Sequence, residues 1–195
     1  MEVTDKFKQA HSFTAKWEGG YSDDEFDPGG VTKYGVCIEF LKDFTTPELE
    51  RIGVQGPVTR STIVGLTREK AERALFLRFW DDLNLEQVPM PMALCVYDYA
   101  MNCGAKNAVK RIQRDWNDEL PWMRKREALH IDGVIGPKTI AALTEWNTMK
   151  GIHEVCEDRR IYYRTICDRN PKLEKFHKGW KNRVRALEEE CQGYF

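Results

Sequence analysis

Apolar side chains recur at helical spacing near the front of this chain. From residue 7 to residue 17 the apolar or small positions include Phe7, Phe13 and Trp17, which predicts an amphipathic helix. Gly19 and Gly20 follow at once and predict a left-handed end to that helix. We therefore expect Glu18 at the C-terminal end of the first helix, directly before the two glycines.

Similar patterns predict a mostly helical chain. Residues 91–103 are apolar almost all round, which indicates a central helix buried by its neighbours. Residues 53–60 are predicted as loop. On the last helix Phe176, Trp180, Val184 and Leu187 form the predicted inner stripe. The remaining helices are predicted over residues 38–44, from Thr46, over 67–80 and 105–116, from Pro137, and over 150–169 and 172–191.

One glycine-rich stretch interrupts the helical pattern. Residues 27–35 read Asp-Pro-Gly-Gly-Val-Thr-Lys-Tyr-Gly, a run of turn formers that predicts a small β-hairpin. That hairpin would set the Asp27 carboxyl group and the Thr32 hydroxyl opposite Glu18. The predicted fold class is mainly α (α+β), a helical fold with a small β-hairpin beside the active-site cleft.

Composition is that of a compact globular protein. The 195 residues are 42% hydrophobic, enough for one core or for two lobes that share a cleft. A net charge of -1, from 30 basic and 31 acidic residues, gives no global preference for nucleic acid or for an anionic membrane. No segment approaches the roughly 18 apolar residues of a membrane helix.

The N-terminus lacks a basic region followed by an apolar run, so we expect synthesis in the cytoplasm without a signal peptide. Six cysteines without a Cys-x-x-Cys pair are then expected to be reduced thiols rather than disulfides.

The position of Glu18 suggests acid catalysis. The negative end of a helix dipole disfavours a second negative charge, and shielding by Trp17 and Tyr21 would add to this effect, so we expect a raised pKa. Two acidic groups facing each other suggest glycosidic bond hydrolysis. Each also has a structural alternative: Glu18 as a solvated helix end, and Asp27 as a turn residue bonded to its own backbone.

Six sequence blocks resemble a known family in the right order. They cover residues 17–21, 27–36, 79–80, 97–104, 131–139 and 176–184. Together they resemble glycoside hydrolase family 108, peptidoglycan muramidases often labelled secretion activator proteins. The resemblance implies a lysozyme-like fold with Glu18 as the essential acid. Phage-type lysozymes space Glu, Asp and Thr similarly, but only four residues separate Asp27 from Thr32, one fewer than expected, which leaves the role of Thr32 open.

Other residues have two possible roles. Tyr21 and Tyr34 either stack on sugar faces or pack the hairpin against the first helix. Asp98 and Asn102 lie four apart on one helix face, where they either bind N-acetyl groups of the substrate or form a buried network that supports the cleft. The Asp-Gly-x-x-Gly-Pro-x-Thr block at 132–139 resembles the turn of small peptidoglycan-binding modules, or it simply shapes the fold.

The resemblance divides the chain into a catalytic lobe over residues 1–103 and a helical lobe over 104–195 that resembles a peptidoglycan-binding region, in one compact unit. The four histidines show no His-x-x-x-His pairing, and we expect neither metal nor cofactor. A cysteine nucleophile is a minor alternative.

The function that the resemblance implies is that of an N-acetylmuramidase. It would cleave the β-1,4 bond between N-acetylmuramic acid and N-acetylglucosamine in peptidoglycan glycan strands. A holin-like pore or secretion machinery would bring it to the periplasm or cell wall, with no nucleic-acid partner and no membrane insertion. The alternative is a non-catalytic peptidoglycan-binding or secretion-accessory protein on the same fold.

Overall fold

The computed structural model describes residues 1–18, 21–22, 32–119 and 127–195. The chain forms two compact units, Met1–Asp82 and Leu83–Phe195. Helices dominate both units, and a small antiparallel sheet lies in the first, so the predicted fold class is confirmed. Among the described residues, no helix combines the length and the apolarity that crossing a bilayer requires.

The first unit begins with a capped helix, α1 (Asp5–Thr14), in which the Thr4 hydroxyl accepts a hydrogen bond from the backbone N–H of Phe7 at 3.2 Å. Phe7 is fully buried, and its ring meets the rings of Phe76 and Trp80 edge to face at centroid distances of 5.1 and 5.8 Å. The other helices of this unit are α2 (Ile38–Lys42), α3 (Thr46–Ile52), α4 (Arg60–Val64) and α5 (Arg68–Phe76), and a π-helical turn over Leu77–Asp81 extends α5.

Three two-residue strands form the sheet. They are β1 (Tyr21–Ser22), β2 (Thr32–Lys33) and β3 (Val36–Cys37), in the order β1-β2-β3 and antiparallel throughout. Thr32 pairs with Ser22 on one side and with Cys37 on the other. The predicted hairpin region therefore contains a three-stranded sheet with β2 at its centre.

The second unit is built around the helix that the apolar run predicted, α6 (Met92–Cys103), in which every residue from Met92 to Ala100 is buried. A 3-10 turn at Leu85–Gln87 precedes it, and a second one at Pro171–Leu173 precedes the last helix. The other helices are α7 (Ala105–Glu119), α8 (Pro137–Glu145), α9 (Met149–Arg169) and α10 (Glu174–Gln192).

The turn before α8 is held by a buried side chain. The amide of Gln113 donates to Asp132 Oδ1 at 2.9 Å, and its Oε1 accepts from the backbone N–H of Gly133 at 2.9 Å. Gly133 has a φ of 82°, and a Cβ there would lie 2.9 Å from the carbonyl oxygen of Lys106. The Asp-Gly block is thus part of the architecture of this unit.

Three predicted features differ from the structure. The first helix ends at Thr14 and not at residue 17, because the chain tightens into turns in which Trp17 N–H donates to Thr14 O at 3.0 Å. The loop predicted over residues 53–60 ends one residue early, because Arg60 begins α4, a short helix that the sequence did not predict. Phe176 is 47% exposed, whereas Val184 and Leu187 are buried, so the inner stripe of α10 is shorter than predicted.

Candidate active site

Glu18 lies on a bend just beyond the turns that follow α1. It is partly exposed, and β1 begins three residues later. Trp17 beside it is 37% exposed, and its ring lies 6.4 Å from that of Phe13, which anchors the segment to α1. A carboxyl group near the surface thus lies between the turns that follow α1 and the start of the sheet three residues later.

The central strand of the sheet carries Thr32. Because β2 pairs with β1 along Ser22 and Tyr21, the backbone of Thr32 is tied to the strand that directly follows Glu18. The Lys33 ammonium donates to the carbonyl oxygen of Val64 at 2.7 Å and so fixes β2 against the end of α4. The strand that holds Thr32 is therefore supported from both sides of the sheet and from a helix.

Tyr34 occupies a strained turn between β2 and β3. Both turn residues have positive φ, 53° at Tyr34 and 77° at Gly35, as in the type I′ turn of a two-residue hairpin. A large non-glycine residue is uncommon in this region of φ. The Tyr34 ring lies 5.2 Å from the Arg68 guanidinium and 5.4 Å from the Lys33 ammonium, contacts that favour this conformation electrostatically. Strain of this kind is often found at functional sites.

A groove of about 380 Å³ runs along α1 and the start of α5 in the same unit. His11, Lys16, Arg68 and Glu72 are among its lining residues. Burial, together with the nearby Arg68 charge, lowers the pKa of His11 to about 4. His11 is therefore neutral at physiological pH, and Arg68 connects this groove to the Tyr34 turn.

Several predicted positions lie outside the described residues. These are Asp27, the Gly19-Gly20 pair and the Gly29-Gly30 pair. For Tyr21 the structure describes only the backbone, which pairs with Lys33, and its side chain is outside the described part. The predicted roles of Asp27 and of the Tyr21 ring accordingly stay predictions.

Asp98, from α6, lies at a buried ionic centre in the second unit. It is fully buried, and it binds Arg159 of α9 at 2.6 Å and Arg183 of α10 at 2.7 Å. Burial by itself would raise the pKa of Asp98, but the two guanidinium groups outweigh that effect and lower it to about 2. This carboxylate stays ionised and holds three helices together, which favours the supporting role among the two considered for it.

Asn102 extends this centre toward the surface. Arg159 Nε donates to the Tyr163 hydroxyl at 2.7 Å, and that hydroxyl donates to Asn102 Oδ1 at 2.6 Å. The Arg159 guanidinium also lies 5.3 Å from the Tyr99 ring and 5.6 Å from the Tyr163 ring. Asn102 is partly exposed, so its amide remains a candidate ligand while Asp98 is enclosed.

The structure thus groups the predicted site residues by unit. Glu18, Thr32 and Tyr34 lie in the first unit, with Thr32 and Tyr34 on the sheet that begins three residues after Glu18, and Asp98 and Asn102 share a network in the second. Sequence reasoning did not identify Arg159, Arg183 or Tyr163, which are more than 60 positions from their partners on α6. Within the described ranges, no group of three or more His, Cys, Asp or Glu side chains is arranged to hold a metal ion.

All six cysteines are free thiols, and four of them, Cys95, Cys156, Cys167 and Cys191, are buried. Cys95 and Cys191 are in contact, with their Sγ atoms 3.5 Å apart in the core of the second unit. At this Sγ–Sγ distance the two thiols are in contact but are not joined by a disulfide bond.

Comparison with protein families separates the chain into two regions. Residues 11–104 match the family described as glycosyl hydrolase 108, and residues 107–185 match a predicted peptidoglycan domain. Residues 11–104 thus form a glycosyl hydrolase 108 region, in agreement with the resemblance of the sequence motifs. Every candidate site residue from Glu18 to Asn102 falls within the glycosyl hydrolase 108 region.

A solved structure supports the same relationship. The structure of Brucella abortus SagA is similar with a TM-score of 0.73 and 26% sequence identity, over 96% of this chain and 94% of that one. No curated protein matches the chain. The two family regions and this neighbour indicate a lysozyme-like protein that acts on peptidoglycan.

Proposed function

We propose that this glycosyl hydrolase 108 protein is an N-acetylmuramidase that cleaves the β-1,4 bond between N-acetylmuramic acid and N-acetylglucosamine. The observation that carries the proposal is the family match over residues 11–104, which includes Glu18, Asp27 and Thr32. The partly exposed position of Glu18, three residues before the sheet begins, supports a role for it in substrate contact.

In the proposed reaction Glu18 is the general acid. It gives its proton to the glycosidic oxygen while the bond from that oxygen to the anomeric carbon breaks, and a water molecule supplies the new hydroxyl group. Asp27 steadies the positive charge that develops on the sugar ring or positions the water, and Thr32 holds that water. Tyr21 and Tyr34 contact sugar faces, a role that the partial exposure of Tyr34 at its turn supports.

The substrate lies in the cell wall, so the proposal includes a route to it. A holin-like pore or secretion machinery would let the protein reach the periplasm or wall, where it acts on glycan strands. The proposed partner is therefore peptidoglycan, with the export component as a transient one.

A second candidate is a non-catalytic peptidoglycan-binding or secretion-accessory protein. The match of residues 107–185 to a predicted peptidoglycan domain favours binding by this region whether or not the first region is catalytic. The two candidates differ in one measurable product, the reducing end that glycan hydrolysis creates.

The test is to incubate the full-length protein with purified sacculi and to identify the new reducing ends. We expect muramic acid at those ends. Glu18→Gln keeps the shape of the side chain but cannot deliver a proton, so it should lower the rate by at least about 10²-fold. Glu50→Gln, an exposed glutamate on α3, is the matched control and should retain the wild-type rate.

Reducing ends made of glucosamine would contradict the bond assignment. Undiminished hydrolysis by Glu18→Gln would remove Glu18 from the mechanism. Binding to sacculi without any new reducing end would favour the non-catalytic candidate.

A further inference from the structure

Three aromatic rings in the second unit stack from its core to its surface. The Tyr163 ring, which is 1% exposed, lies 4.9 Å from the Trp180 ring at an interplanar angle of 27°. The Trp180 ring lies 5.8 Å from the Phe176 ring at 29°. Because Phe176 is 47% exposed, a stack anchored in the buried network of Asp98 ends in an aromatic ring at the surface.

Hydrogen-bond donors lie at both ends of this stack. At the inner end the Asn102 carbonyl group accepts from Tyr163, and the Asn102 amide nitrogen has no hydrogen-bond partner in the described part of the chain. At the outer end the Lys175 ammonium lies 4.8 Å from the centroid of the Phe176 ring. The stack therefore combines apolar ring surface with a small number of N–H donors, as ligand sites generally do.

Two of the basic side chains around the outer ring are paired with acidic ones. Arg164 binds Asp168 at 2.6 Å and Glu174 at 3.2 Å, and His177 lies 3.5 Å from Glu174. Lys175, beside the ring, keeps its ammonium group available as a donor. The surface therefore combines apolar ring area with N–H donors, which suits sugar rings whose acetamido oxygens accept hydrogen bonds.

We propose that Phe176 and Trp180, supported from the core by the buried Tyr163 ring, form a binding subsite for a run of N-acetylated amino sugars. The C–H face of a pyranose ring would pack on the exposed aromatic surface, and an acetamido carbonyl group would accept from the Asn102 amide. Since the exposed ring and the amide lie at opposite ends of the stack, the ligand is an oligosaccharide rather than a single sugar. This subsite rests on the proposed function, which supplies the glycan strand.

The test measures binding in the full-length Glu18→Gln protein, so that the glycan is not consumed. Purified sacculi are sedimented with this protein and with the same protein carrying Phe176→Ala. Loss of one stacking ring should weaken binding at least about fivefold. Phe195→Ala is the matched control, because Phe195 is 61% exposed in the same unit, and it should change binding less than about twofold.

Two further measurements make the result specific. Trp180→Phe retains a ring in the middle of the stack and should bind within about threefold of the parent. A tetramer of N-acetylglucosamine should compete with sacculi, whereas the monomer should not. Melting curves of all variants show whether a loss of binding comes from unfolding, and Phe176→Ala should melt like the parent because its side chain is exposed.

Equal binding by the Phe176→Ala and Phe195→Ala proteins would overturn the subsite. So would loss of binding when the peptide stems are removed from the sacculi, because the ligand would then be the peptide. If the wild type releases no reducing ends while Phe176→Ala still loses binding, the proposed hydrolysis fails and the subsite stands. If the wild type does release reducing ends while Phe176→Ala binds as well as its parent, the proposed hydrolysis stands and the subsite is ruled out.

Discussion

Two carboxyl groups of the second unit respond to burial in opposite ways. Asp98 is enclosed by two guanidinium groups, and its pKa is lowered to about 2. Burial and the nearby charge of Asp158 raise the pKa of Asp115 to about 8, and its Oδ2 atom has no hydrogen-bond partner among the described residues. Of the two cations near Asp115, Arg111 and Arg114, the first is held by Asp158 instead, with Nε 2.8 Å from Oδ2. Asp115 therefore keeps its proton at neutral pH.

The raised pKa of Asp115 makes stability depend on pH. The folded state retains this proton up to about pH 8, whereas the unfolded state releases it near its ordinary pKa of 3.8. Below about pH 4 the Asp115 carboxyl group is neutral in both states, so its ionisation does not affect the free energy of unfolding. As pH rises from about 4 to 8, only the unfolded state ionises, and the free energy of unfolding falls. Asp115→Asn removes the ionisation, so its melting temperature should exceed that of the wild type increasingly over this range.

Glu190→Gln is the control for this titration. Glu190 is exposed on α10 of the same unit, and its removal leaves the buried carboxyl group in place, so its pH profile should follow the wild type closely. A constant difference between Asp115→Asn and the wild type from pH 4 to 8 would show that Asp115 is ionised throughout.

At the scale of elements, the hairpin turn depends on an unusual residue. A Tyr-Gly pair stands where type I′ turns favour Asn-Gly, and the Tyr34 ring contacts Lys33 and Arg68 in compensation. Tyr34→Val should lower the free energy of unfolding by about 1–2 kcal/mol, because a β-branched residue fits positive φ poorly. Tyr34→Asn accepts this backbone conformation and should stay within about 1 kcal/mol of wild type.

Denaturant unfolding of the two Tyr34 variants measures this difference. Similar stability of the valine and asparagine proteins would mean that the turn relaxes to another conformation. Sacculus hydrolysis by Tyr34→Asn then separates the two roles considered for the ring: lost activity with retained stability supports contact with sugar, and retained activity supports packing alone.

Local signals were sufficient to predict much of the secondary structure. The spacing of apolar residues predicted α6, and Pro137 marked the first residue of α8. The end of α1 was misplaced, because Ala15 and Trp17 continue a helical pattern while the backbone tightens into turns. Single-sequence periodicity reports which faces are apolar but not where hydrogen bonding changes from one turn type to another.

The candidate site was predictable only in part, because some of its contacts join residues that are far apart in the sequence. Glu18 and Thr32 stand in local motifs, whereas the partners of Asp98 lie 61 and 85 positions away. Nothing near Asp98 in the sequence specifies those arginines. The sequence likewise did not predict that Phe176 is exposed, because its spacing of four residues from Trp180 is the same as that between neighbouring residues of a buried helix face.

At the scale of the whole molecule, the packing boundary and the family boundary differ. The compact units divide after Asp82, whereas the two family matches divide near residue 105. Helix α6 thus belongs to the glycosyl hydrolase 108 region by sequence and to the second unit by packing. The division into lobes at residue 103 stays a prediction about function.

This difference leads to a prediction for fragments. A fragment of residues 83–195 retains α6 and should unfold cooperatively. A fragment of residues 105–195 lacks Asp98 and leaves Arg159 and Arg183 without their carboxylate, a loss of about 3–5 kcal/mol for a broken buried pair. Circular dichroism during thermal unfolding distinguishes them, and equally cooperative melting of both would show that α6 is dispensable for this unit.

The Asp98 centre also has a consequence for synthesis of the chain. A ribosome delivers α6 well before α9 and α10, so Asp98 emerges while both of its guanidinium partners are still missing. A bare carboxylate does not enter an apolar core at acceptable cost. We therefore expect the nascent second unit to stay open until Arg183 has left the exit tunnel, with its most hydrophobic helix available to chaperones during that interval.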